Sequence, residues 1–189
     1  MNVAKPSPLN LPNAITVLRI LLVPVVLVLL FASADQAGLL RWLSVTAFVV
    51  SIATDGVDGA IARRRGLITD LGKLLDPIAD KALLGSALVA LSVLGEIDWW
   101  ITIAILVREL GITAYRLIVA RKRVLAANRG GKLKTILQAV AIGFYLSPLA
   151  SLWQPVAIAQ ALVLYAALAS TLVSGFAYVI AEVRNRHAN

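Results

Sequence analysis

Asp55, Asp58, Asp76 and Asp80 fall within the stretch ATDGVDGAIARRRGLITDLGKLLDPIADKA, inside or at the ends of segments otherwise apolar enough to sit in a lipid bilayer. Ionisable residues in such a setting are costly and mark function by default, and carboxylates there need a cation. Asp55 and Asp58 are three residues apart and Asp76 and Asp80 four. On two helices each pair therefore projects from one face, and the two faces can converge on one site. Gly56, Gly59 and Gly72 carry no side chain, which lets a second backbone or a phosphate approach closely. Hard carboxylate oxygens suit magnesium, manganese or calcium, whereas zinc or copper favours the imidazole and thiolate ligands that this stretch lacks. Magnesium is the expected ion. Ion pairing with Arg63, Arg64, Lys73 or Lys81 would also satisfy the aspartates, but a pairing network does not require this spacing.

Written out, Asp55-x2-Asp58-Gly59-x2-Ala62-Arg63-x8-Gly72-x3-Asp76-x3-Asp80 resembles the signature of the CDP-alcohol phosphotransferases, membrane enzymes of phospholipid synthesis, with every fixed position met. The resemblance implies two divalent ions held by Asp55, Asp58, Asp76 and Asp80, magnesium first and manganese as the alternative. It implies a CDP-linked lipid as donor, with Asp58, Gly59, Ala62, Arg63 and Thr69 around its CDP group. It also implies Asp80 as the base that activates an acceptor hydroxyl, a role that metal bridging would equally fill. Thr69 suits an N-cap or turn as well as a substrate contact.

Further stretches, Asn10-Leu11-Pro12-Asn13, Arg108-Glu109 with Arg116, and Gly131-Lys132-x-Lys134-Thr135-x2-Gln138, resemble the branch of that family whose acceptor is sn-glycerol 3-phosphate. What this implies is transfer of the phosphatidyl group of CDP-diacylglycerol to glycerol 3-phosphate, giving phosphatidylglycerophosphate and CMP. An inositol phosphate or another alcohol is the neighbouring alternative for the acceptor. The residues themselves agree, since a phosphate-bearing acceptor needs cations beyond those that meet CDP. Arg108 and Arg116 are eight apart and share a helix face, and Glu109 can pair with or orient them. Gly130 and Gly131 precede an expected helix start, with Lys132, Lys134 and Thr135 in its first turn, where N–H donors, ammonium groups and a hydroxyl would meet a phosphate.

The elements that must position these groups are membrane helices. The chain has 189 residues, 60% of them apolar and 15% charged, too oily for an ordinary soluble domain. It reads as a single domain over residues 1–189, all-α, with six transmembrane helices. Asn13 or Thr16 is expected to cap a first span from about Ala14 to Phe31, in which Arg19 either snorkels to the headgroups or meets a lipid phosphate. Ala32-Ser33-Ala34 resembles a cleavage site, but the apolar run is long and its leading segment poor in charge, so the span is expected to remain. The second span runs from Leu39 to about Arg63 and the third from near Leu74 to Leu94, with Pro77 in its first turn. Ile101–Ala120, Leu133–Trp153 and Val156 to about Val183 complete the set, with Pro148 a candidate kink.

Lys5, the run from Arg63 to Arg65, Lys73, Lys81, the group from Arg121 to Lys134, Arg184 and Arg186 would lie on one side, against Arg41 alone in the opposite loops. Positive residues favour the cytoplasm, which puts both termini and the mouth of the site there, in the cell membrane. The net charge of +8 is thus matched to anionic lipid and phosphate; no aromatic-rich basic groove points to nucleic acid. No residue is Cys, and the single His187 lies in the polar tail. Small-residue faces allow a homodimer. The rival of another class is a cation transporter or channel, with the aspartates as a pathway and Arg108 as a gate. It requires aspartates along a continuous route across the bilayer, whereas here they cluster with arginines toward one face.

Overall fold

A computed structural model describes residues 10–33, 38–65, 69–119 and 129–187, with the side chains of 57–65, 70, 71, 73, 74, 116–119, 129–132 and 182–187 outside the description. Among the described residues all of the regular structure is helical: α1 (Leu11–Ala32), α2 (Leu39–Arg65), α3 (Asp70–Val93), α4 (Trp99–Val119), α5 (Arg129–Leu146), the short α6 (Leu149–Leu152) and α7 (Gln154–His187).

Local chemistry sets the helix ends. Asn10 caps α1 by accepting the Asn13 N–H at 3.0 Å, with Pro12 in the first turn, so the cap lies upstream of the expected Asn13 or Thr16. Thr69 caps α3 by accepting the Gly72 N–H at 3.0 Å, which starts that helix at Asp70 rather than near Leu74 and leaves Pro77 inside it, beyond the first turn. The far end of α3 closes with Gly95 at φ +74°, Gly95 N–H on Ser92 O at 3.1 Å and Glu96 N–H on Leu91 O at 2.9 Å. This paired closure uses the left-handed conformation that glycine adopts without strain. α5 begins at Arg129, so Gly130 and Gly131 belong to its first turn, and Lys134 and Thr135 fall beyond it. At its other end the helix stops at Leu146, where Pro148 starts α6; the expected kink is a break. α7 continues through the basic tail to His187, past the expected end near Val183.

α3 supplies more of the buried apolar core than any other described helix. Ala79, Leu83, Ala87 and Leu91 recur every four residues, with Leu84 and Leu88 beside them, and all are buried. The same core takes in Val26 and Leu30 of α1, Phe48 of α2, Ile105 of α4, Ile142 of α5 and Leu168 of α7. The outer surface inverts the pattern of a soluble bundle. Leu21, Val28, Val107 and Phe176 are exposed, while Ser44, Ser51, Thr102 and Thr171 are fully buried. The buried hydroxyls join helices: Ser44 donates to Val26 O at 3.0 Å, Ser92 meets Thr102 at 2.7 Å, and Gln138 donates to Thr171 at 2.8 Å.

By length and composition, Leu11–Ala32, Leu39–Gly56 and Gln154–Ala181 can cross a membrane, and Leu133–Leu146 is apolar but shorter. α3 and α4, at 24 and 21 residues, have the length but carry the charges of the motif and of Arg108, Glu109 and Arg116. The residues that make a site are the ones that lower these helices' hydropathy.

Candidate active site

One face of α1 meets the motif in three places. Asn13, Thr16 and Arg19 recur every third position and are buried, Arg19 to 1% exposure. The Asn13 amide donates to Thr69 Oγ1 at 2.8 Å, and the Thr69 hydroxyl lies 3.1 Å from Asn13 Oδ1. Thr16 Oγ1 donates to Asp76 Oδ1 at 2.9 Å. Arg19 donates to Asp55 Oδ1 at 2.5 Å, with the Asp55 side chain half exposed. Arg19 therefore does not snorkel; it turns inward and pairs across to α2.

Gly72 shows why the motif excludes a side chain there. A Cβ would fall 2.7 Å from Asn13 Oδ1 and 3.2 Å from Thr69 Oγ1, so glycine is what lets α1 lie against the first turn of α3. The Thr69 hydroxyl thus serves as cap of α3 and as clasp to Asn13.

Asp80 lies one turn along α3 from Asp76. Among the described residues its carboxylate makes no hydrogen bond, which leaves both oxygens to a ligand. A cavity of about 40 Å³ opens beside it, lined by Asp80 and Lys81 of α3, Glu109 of α4, and Thr135 and Gln138 of α5. At the edge of this cavity Glu109 Oε1 accepts from Lys134 Nζ at 2.5 Å and Arg108 Nη1 at 2.9 Å, with Gln138 Nε2 at 3.5 Å. Arg108 also donates to Ser174 of α7 at 2.7 Å, and a Cβ on Gly175 would lie 3.1 Å from it. It lines a groove between α4 and α7 rather than the cavity beside Asp80.

The structure thus gathers Asp55, Asp76 and Thr69 against α1, sets Asp80 and Thr135 on one cavity with Lys134 held by its Glu109, and leaves Arg108 toward α7. The side chains of Asp58, Ala62, Arg63, Arg116 and Lys132, and the surroundings of Gly59, lie outside the described residues. Among the described residues no three Asp, Glu, His or Cys side chains group as a ready metal site. The donor chemistry nonetheless fits a hard divalent ion: Asp55 and Asp76 each have one oxygen held by α1, and Asp80 has neither held. Sequence reasoning gave Thr16 no role beyond capping, and Asn13 only capping and a place in the stretch that resembles the glycerol 3-phosphate branch. The available signal was their period of three with Arg19, which places them on one helix face.

Arg41, expected as a loop charge opposite the site, is buried at 3% exposure in α2. Its guanidinium donates to Glu96, to Leu146 O at 2.8 Å and to Tyr145 O at 2.7 Å, tying three helix ends together.

Residues 9–173 match the family described as CDP-alcohol phosphatidyltransferase. A protein of Mycobacterium tuberculosis named "Probable phosphatidylglycerophosphate synthase" is 44% identical over 176 residues, covering 93% of this chain and 83% of the relative. The CDP-diacylglycerol--glycerol-3-phosphate 3-phosphatidyltransferase of Bacillus subtilis is 36% identical over 182 residues, covering 89% and 93%. Its namesake in Rickettsia typhi is 34% identical over 173 residues, covering 89% and 94%.

Proposed function

Because the chain belongs to the CDP-alcohol phosphatidyltransferase family, we propose that it transfers the phosphatidyl group of CDP-diacylglycerol to sn-glycerol 3-phosphate, giving phosphatidylglycerophosphate and CMP. The observation that carries this reading is the cavity at Asp80, which the last motif carboxylate shares with Glu109, Thr135 and Gln138, with Lys134 held by Glu109. A donor pyrophosphate and a phosphate-bearing acceptor need the motif and a cation-bearing region to adjoin in this way.

Asp55, Asp58, Asp76 and Asp80 would hold two divalent ions, magnesium or manganese, whose charge neutralises the pyrophosphate and the departing CMP. Asp58, Gly59, Ala62 and Arg63 on α2 would line the CDP group, while Thr69 acts through the start of α3. Asp80 accepts the proton of the acceptor hydroxyl as that oxygen bonds to the lipid-side phosphorus and the phosphorus–oxygen bond to CMP breaks. Lys132, Lys134 and Thr135 of α5, with Arg108 and Arg116 of α4, hold the acceptor phosphate. Glu109 keeps the Lys134 ammonium aimed at the cavity edge until the phosphate arrives. In the membrane, α1 to α5 and α7 supply six crossings, with both termini and the mouth of the site toward the cytoplasm, and a homodimer is compatible with their small-residue faces.

The test is CMP release by the purified protein given CDP-diacylglycerol, magnesium, and glycerol 3-phosphate, glycerol or an inositol phosphate. Release is expected with glycerol 3-phosphate and is lost on chelation. A preference for inositol phosphate would move the acceptor assignment, and metal-driven ion flux without CMP would replace the reaction altogether.

A further inference from the structure

The polar face of α1 takes no part in the chemistry above, yet it touches each half of the motif. The contacts are specific to one oxygen. Arg19 occupies Oδ1 of Asp55 and Thr16 occupies Oδ1 of Asp76, and neither carboxylate makes another hydrogen bond among the described residues. A carboxylate on its own turns readily about its last torsion and offers either oxygen or both. Held at Oδ1, it presents Oδ2 in a fixed direction.

We propose that α1 is the template of the divalent-ion site: Thr16 and Arg19 are positioning residues that make Asp76 and Asp55 one-oxygen ligands. The inference rests on the reading that these aspartates hold divalent ions. Its consequence is ion selectivity. Magnesium and manganese take compact, near-octahedral sets of oxygens, whereas calcium takes six to eight, often with a carboxylate binding through both oxygens. A site whose carboxylates are each restricted to one oxygen disfavours calcium. Asn13 supports the same register from one turn earlier by joining the α3 cap, and both donors, Thr16 and Arg19, are buried. Thr16 Oγ1 is also 3.1 Å from Pro12 O, but the 2.9 Å contact to Asp76 is the shorter, and a carboxylate is the stronger acceptor.

The experiment measures manganese affinity of the full-length protein in detergent by electron paramagnetic resonance, then displacement by calcium. Thr16→Val keeps the shape and removes the donor; it is expected to weaken manganese binding about 10–100-fold and to make calcium a better competitor. Thr16→Ser should restore both. Arg19→Lys, which keeps the buried charge but not the planar fork, should shift affinity and selectivity in the same direction, and stands as the second variant should Thr16→Val not fold. Native affinity and native calcium competition in folded Thr16→Val or Arg19→Lys would overturn the proposal, as would equal loss in Thr16→Val and Thr16→Ser. Asp76→Asn separates the two claims. If it leaves manganese binding unchanged, the metal site itself is misassigned and the template falls with it; if it abolishes binding while Thr16→Val does nothing, only the template falls.

Discussion

Asp80 differs from Asp55 and Asp76 in having no donor from α1, and it faces the cavity that Glu109 and Gln138 share. A group acting on the acceptor proton should separate binding from chemistry. Asp80→Asn is expected to bind CDP-diacylglycerol nearly as well as the native protein while its turnover falls by about 10²–10⁴-fold, measured as donor binding beside single-turnover CMP release. Loss of donor and metal affinity in proportion to rate would make it chiefly a ligand. Lys134 makes the opposite kind of claim. Lys134→Ala removes one charge-assisted contact to the acceptor phosphate, so the KM for glycerol 3-phosphate should rise about ten- to 150-fold while the KM for CDP-diacylglycerol stays put. Free glycerol is the control, because it has no phosphate to miss; equal loss with both acceptors would show that the pairing of Lys134 with Glu109 serves only the fold. At this scale the spacing of the carboxylates predicts two helix faces, and the structure puts Asp76 and Asp80 one turn apart on α3. The tie of Arg19 to Asp55 was not legible, because an arginine one turn inside a span has several chemically sound destinations, and only the position of α2 decides among them.

Helix starts decide which of those side chains meet. Thr69 begins α3 several residues before the hydrophobic pattern does, since a cap and a tertiary clasp outweigh the polar composition of Asp70 and Lys73. α5 likewise starts earlier than expected, at Arg129, which takes Lys134 and Thr135 out of the first turn and puts them on a helix face. Gly72 is the element-scale device that admits α1. Gly72→Ala would gain about 1 kcal/mol in helix propensity but places Cβ 2.7 Å from Asn13 Oδ1. Forced packing of that kind costs about 1–3 kcal/mol, and a net fall in melting temperature is expected. In an Asn13→Ala background the nearest obstacle is gone and only Thr69 Oγ1 at 3.2 Å remains, so the same substitution should cost less. Equal costs in both backgrounds, by thermal melting in detergent, would mean that the glycine serves something other than the α1 to α3 approach.

The two ends of the molecule are built for different work. At one end, carboxylates and cations converge on the lower half of α3; at the other, Arg41 is consumed by Glu96 and two carbonyls, and the α3 to α4 turn closes on itself. An end whose arginine joins helices is built for packing, which agrees with substrates arriving from the opposite face. Hydropathy and charge bias made this polarity readable from the sequence, while the number of crossings was less so, because α3, α4 and α5 carry the site and lose apolar character by doing so. Counting only the three helices that pass on composition gives an odd number of crossings and termini on opposite sides; six gives termini on the same side. The absence of native cysteine makes single-cysteine labelling direct. Ser7→Cys and His187→Cys should both be shielded from an impermeant maleimide in intact cells and react after permeabilisation, whereas Asp98→Cys and Trp153→Cys should react at once. Labelling of only one terminus would establish an odd number of crossings. In that case the charged helix α3 or α4 would have to lie on the membrane rather than through it, and the site would lose the enclosed walls that Leu84, Leu88 and Ile105 give the cavity beside Asp80.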